Sequence, residues 1–131
     1  MSEANTPAIG TVAWFDLTVP EAETIRDFYA DVVGWEAEPL DMGGYADFVM
    51  KSPGAAAPAA GICHTRGENA DLPAQWLSYV VVKDLDASRE RCVAHGGALI
   101  SAIKGNPGEQ RYCVIQDPAG AYLALMELGG E

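Results

Sequence analysis

A chain of 131 residues that is 49% hydrophobic has enough apolar material for one core. Its 19 acids against 8 bases give a net charge of −11, a surface that repels phosphate backbones and anionic lipid, so nucleic acid and membrane are set aside as partners. No apolar run approaches the roughly 20 residues of a membrane span, and Met1 to Ala8 lacks the basic start and apolar stretch of a signal peptide.

Residues 1–8 are polar and small and are expected to be a disordered tail. Ala13, Phe15, Leu17 and Val19 then alternate with Trp14, Asp16 and Thr18, the period of a strand. Pro20 suits the first turn of a helix, and Glu21 and Glu23 suit the positive end of its dipole. Ile25, Phe28, Tyr29, Val32 and Val33 follow at helical spacing, and Gly34 ends the helix. A strand begins at Trp35, with Pro39 as a breaker. Gly43-Gly44 turns the chain into another strand over Tyr45 to Met50, and Gly61-Ile62-Cys63 is a short last one. This first unit is taken as 9–64, and the turn-rich stretch 65–75 as a linker.

The second unit, 76–129, repeats that order. Leu77, Tyr79 and Val81 alternate with Ser78, Val80 and Val82. Asp84 or Asp86 caps a helix that carries Leu85, Cys92 and Val93 and stops at Gly96-Gly97. Strands are expected at Ala98 to Ile103, Arg111 to Gln116 and Tyr122 to Leu128, with turns at Gly105-Asn106-Pro107-Gly108 and Asp117-Pro118-Ala119-Gly120. Val19 and Val82 stand as far apart as Gly34 and Gly97, so the chain reads as two βαβββ units. One such unit has a helix on one sheet face and nothing on the other. The expected fold is therefore α+β: two units packed into a curved mixed sheet that encloses a cleft, with the helices outside. Cys63, Cys92 and Cys113 are odd in number and unpaired in sequence, which argues for buried thiols in a reducing cytoplasm.

Several spaced motifs carry a resemblance. They are Asp27-Phe28-Tyr29 with Gly34-Trp35, Val82-Lys83-Asp84-Leu85-Asp86-Ala87, and Asp117-Pro118-Ala119-Gly120-Ala121. With the paired βαβββ order, they make the chain similar to the vicinal oxygen chelate superfamily, which includes glyoxalase I, bleomycin-resistance proteins and extradiol dioxygenases. The likeness runs from about Ile9 to Leu128. It is strongest to a bacterial glyoxalase/bleomycin-resistance-like branch that tends to carry the equivalents of Trp14, Gly44-Tyr45 and Arg111-Tyr112.

In metalloenzymes of that superfamily, His, Gln or Glu ligands project into the cleft from first and last strands, and the resemblance assigns three of those positions to Trp14, Leu77 and Ala124. None of these side chains binds a divalent cation. The fourth position falls near Gly61 to His64, and a lone His64 does not make a site. No cofactor is expected; a divalent metal held at a non-standard site by Asp16 or His64 is the alternative.

Strand period and resemblance together place Trp14, Asp16, Leu77, Tyr79, Val81, Tyr122, Ala124 and Met126 on the cleft face. Such a lining suits a planar or hydrophobic molecule oriented by few polar groups. Each residue has a second reading. Trp14 stacks on a ligand or simply fills space. Asp16 is a general base, an anchor for a cationic ligand, or a strand residue bonded to backbone. Tyr79 and Tyr122 are amphipathic lining or phenolic acids. Arg111 binds an anionic group of the ligand or forms a salt bridge, and its face is not fixed by pattern. His64 lies near the linker and is expected exposed; Glu127 is expected on the helix side or in water.

The function expected is binding of a small aromatic or hydrophobic molecule between the two units, without metal, in a cytoplasmic homodimer. The alternatives are a metal-dependent lyase, isomerase or dioxygenase of the same superfamily, and a metal-free enzyme with Asp16 as base.

Overall fold

The computed structural model describes residues 7–106 and 108–129, with Glu68 by its backbone only. The tail expected at 1–8 falls, for residues 1–6, outside them. The chain divides into two compact units, one of residues Trp14–Trp76 and one of residues up to Ala13 together with those from Leu77 onward.

The unit Trp14–Trp76 opens within the first strand, β1 (Val12–Val19), which alternation builds. Helix α1 (Ala22–Val33) follows, and Gly34 closes it in the left-handed conformation at φ 91°, its N–H bonded to the Ala30 carbonyl. Then come β2 (Glu36–Asp41), β3 (Ala46–Lys51) and β4 (Ala60–His64). The strand order is β2-β3-β4-β1, with β4 parallel to β1 and antiparallel to β3. Pro39 does not break β2. It pairs with Phe48 in register, because β2 is the sheet's edge and a missing N–H is tolerated there.

Burial explains why α1 lies where it does. Ala22, Phe48, Met50 and Ile62 form a core cluster, with Ile25, Tyr29, Trp35 and Trp76 packed on it. Trp76 belongs to the stretch around the linker, yet its indole N–H donates to the Tyr29 hydroxyl at 3.0 Å, and Leu72 inside that stretch is buried. The linker is thus partly core.

The second unit holds β5 (Leu77–Val81), α2 (Leu85–Ala94), β6 (Ala98–Leu99), β7 (Arg111–Gln116) and β8 (Tyr122–Glu127) in the order β5-β8-β7-β6. The Asp84 carboxylate caps α2 by accepting from the Ala87 N–H at 3.1 Å. Leu85, Cys113 and Leu125 are the core between helix and sheet. β6 is shorter than the expected run from Ala98 to Ile103. The Ser101 hydroxyl accepts the Val114 N–H at 3.0 Å and takes the place of a ladder carbonyl, so regular pairing ends. The architecture is α+β, and each unit sets one helix on one face of a four-stranded mixed sheet.

Candidate functional site

Register decides which side chains share the face away from α1. Asp16 pairs with Gly61, and Thr18 with Cys63, across the parallel strands β1 and β4. Leu17 pairs with the core residue Ile62 and so points the other way. Trp14, Asp16 and Cys63 therefore come together on the helix-free face. The Trp14 indole N–H donates to Asp16 Oδ1 at 3.1 Å, and the Cys63 thiol donates to Asp16 Oδ2 at 3.3 Å. Gly61 makes this arrangement possible: a Cβ there would overlap Asp16 Oδ1 and would sit 3.4 Å from the Trp14 ring.

Both Trp14 and Asp16 remain partly exposed. Burial raises the Asp16 carboxyl from its ordinary 3.8 to about 6. Its bonds to Trp14 and Cys63 oppose the shift, and the nearby Asp47 charge adds to it. Burial also pushes the Cys63 thiol far up, helped by the Asp16 and Asp47 charges. Cys63 is thus a proton donor to Asp16 and not a nucleophile. Asp16 bonds an indole and a thiol, not the backbone acceptor or donor of an ordinary strand residue.

In the second unit, Tyr79 pairs with Ala124 and Val81 with Met126, so Leu77, Tyr79, Ala124 and Met126 share the face away from Leu125 and α2. All four are buried. The Tyr79 and Tyr112 rings meet edge to face with centroids 5.8 Å apart. Tyr122 lies on the same face, opposite Gln116, and is half-buried. Arg111 pairs with Glu127 in register and shares the face of Cys113, toward α2. Its Nη2 lies 2.6 Å from Glu127 Oε1 and 3.2 Å from Asp86 Oδ2. Those two carboxylates, Glu127 foremost, hold its guanidinium above its usual pKa.

His64 is not exposed; only 6% of it reaches solvent. Its Nε2 meets Glu23 Oε1 at 3.0 Å, and its Nδ1 meets Asp47 Oδ1 at 3.2 Å. The same Asp47 oxygen accepts the His64 backbone N–H at 2.9 Å. Sequence spacing gave no sign of this bridge, because its three members come from α1, β3 and β4. The Glu23 carboxyl is held below its ordinary range, chiefly by its bond to His64.

A metal of the kind the superfamily uses does not fit these residues. Leu77 and Ala124 offer no donor atom, and Trp14 Nε1 donates its proton to Asp16 and has no lone pair to give. Both His64 ring nitrogens face carboxylates. Among the described residues, no three His, Cys, Asp or Glu are grouped to hold a metal ion.

Comparison with known proteins places this geometry in a family. Residues 13–126 match the model of the glyoxalase-like domain. The chain is 32% identical to the anthracycline biosynthesis protein DnrV of Streptomyces peucetius over 93% of its own length and 48% of that protein. It spans about half the length of the curated relatives it matches. Among solved structures, a glyoxalase/bleomycin resistance protein/dioxygenase superfamily member from Vibrio splendidus 12B01 is similar with a TM-score of 0.55 at 14% identity, over 87% of this chain and 96% of that one. Methylmalonyl-CoA epimerase from Mycobacterium tuberculosis is similar with a TM-score of 0.51 at 20% identity, over 98% and 96% of the two chains. At such identities the structures speak for the fold alone. The family match covers most of the chain, and the chain belongs to the glyoxalase-like domain family.

Proposed function

We propose that this protein binds a small planar aromatic or hydrophobic molecule on the helix-free sheet face that carries Trp14 and Asp16, and does so without a metal. One observation carries the reading. The Trp14 indole and the Asp16 carboxyl are bonded edge to edge at 3.1 Å, and both are partly exposed. An aromatic ring with one fixed polar group beside it is a pairing that small-molecule sites use. The similarity to a protein named for anthracycline biosynthesis supports an aromatic ligand, since an anthracycline is a planar polycyclic aromatic. Free cysteines fit a cytoplasmic protein. Exposed Phe28, Val32 and Val33 on α1 fit a homodimer.

Calorimetric titration against a panel of fused-ring aromatics is expected to give one-to-one binding, weakened about tenfold by Trp14→Ala. A panel that yields no binder, or one whose affinity ignores Trp14, overturns the reading. So does elemental analysis that finds a stoichiometric transition metal lost on substitution of Asp16 or His64. That result would favour a metal-dependent lyase, isomerase or dioxygenase.

A second reading is favoured by the Asp16 value of about 6. A carboxyl poised there can take a proton from a bound substrate near neutral pH, which makes a metal-free acid–base enzyme. Turnover would then show a limb in its pH profile near 6 that Asp16→Asn removes.

A further inference from the structure

Several carboxylates of this chain lie beside bases, the buried Asp47 among them. Arg111 holds Glu127 and Asp86, His64 holds Asp47 and Glu23, Lys51 lies 3.6 Å from Glu38, and Arg26 bonds Asp27. Asp16 is desolvated too, yet no base lies beside it among the described residues. Its bonds are to an indole N–H and a thiol, both neutral. Among the described residues, the titratable groups that face it are Cys63 from β4 and Asp47 from β3, and neither supplies positive charge. A desolvated carboxylate without a counter-ion is costly to keep. Gly61 nevertheless keeps the space that this carboxyl fills, since a Cβ there would overlap it. The Trp14 ring lies against the same glycine, and an indole face attracts cations. The net charge of −11 draws cations toward the whole molecule.

We propose that Asp16 is the counter-ion of the ligand, so that this site takes an aromatic molecule bearing a positive charge, a protonated amine or quaternary nitrogen. The assignment rests on the binding function proposed above and names its ligand class. The ligand supplies the missing cation, which stacks on or beside Trp14 and pairs with the Asp16 oxygens. Protonation of Asp16 removes the pairing, so cation binding weakens as pH falls through about 6.

Two probes of matched tricyclic shape test this: 10-methylacridinium, a permanent cation, and neutral 9-anthracenemethanol. Titrated into the full chain above about pH 7, the cation is expected to bind about tenfold more tightly or better. That ratio is expected to fall toward one in Asp16→Asn, and also in the unaltered chain below about pH 5. The pH series keeps the test decisive should the variant fold poorly. Equal affinities overturn the counter-ion role and leave aromatic binding standing. A cation preference unchanged by both Asp16→Asn and acid belongs to the overall charge and overturns it too. Failure of both probes to bind overturns the binding function, and the counter-ion role with it.

Discussion

A carboxyl that titrates at about 6 in the folded chain and near 3.8 ordinarily holds its proton more tightly folded than unfolded. The sign follows from linkage. Between those two values the native state binds more protons, so the Asp16 contribution to stability falls as pH rises from about 4 to about 6 and stays low above. A shift of about two units corresponds to at most about 3 kcal/mol, and partial exposure lowers that. Asp16→Asn keeps the shape and an oxygen for the Trp14 N–H while removing the charge. It is expected to stabilise the protein by about 1–2 kcal/mol at neutral pH, with the gain vanishing near pH 4. Urea unfolding at the two pH values measures this. A variant that is less stable at neutral pH would mean that the carboxylate is there to hold the strands. A gain would mean that a destabilising charge is retained for another purpose, the usual mark of a functional group.

His64 shows how one side chain ties separate elements. The regular pairing of β3 with β4 stops at Phe48 and Ile62, and Asp47, only 3% exposed, lends its carboxylate to the His64 N–H and ring at once. Glu23, one residue into α1, takes the other ring nitrogen. His64→Ala strips a buried carboxylate of its ring partner and is expected to cost about 2–4 kcal/mol in urea unfolding. His64→Gln can still donate to Asp47 and is expected to recover part of that. Equal loss in both variants would assign the effect to packing against Tyr45 and Phe48, whose rings flank the imidazole. Glu23 adds a smaller, exposed contribution that is lost as pH falls through its lowered pKa. None of this was legible in sequence, because a histidine near a turn gives no local signal of partners 17 and 41 residues away. Local rules fared better where the physics is local. Period two placed Trp14 and Asp16 together, and positive φ fixed Gly34 as a cap. The Asp117 turn closes as its residues suggest, with the carboxylate accepting from the Ala119 and Ala121 N–H groups. Pro39 and the early end of β6 went unseen because each depends on whether the neighbouring strand is an edge or a side chain replaces a carbonyl.

At the scale of the whole molecule, two opposing effects govern the homodimer proposed above. Helix α1 leaves Phe28 53% and Val32 63% exposed, beside an apolar hollow of about 330 Å³ that Phe28, Tyr29 and Trp76 help to line. Covering such surface favours association. Against it stands the charge of −11 on each copy. For two copies with charge centres taken about 30–35 Å apart, the unscreened repulsion in water is about 15 kcal/mol. Screening lowers it to about 5 kcal/mol at roughly 0.01 M salt and well under 1 kcal/mol at roughly 0.15 M. Apolar burial of a few hundred square ångströms supplies about 5–10 kcal/mol before the cost of association, so the repulsion at low salt removes most of it and the repulsion at physiological salt leaves it nearly whole. Sedimentation velocity at micromolar concentration is therefore expected to show monomer at low ionic strength and dimer at physiological salt. Phe28→Asp, which adds a charge to the apolar stripe, is expected to keep the chain monomeric in both. A monomer at physiological salt in the unaltered chain would remove the dimer from the proposal. A dimer that strengthens as salt is withdrawn would show that opposite charges, not the α1 apolar stripe, hold the copies together.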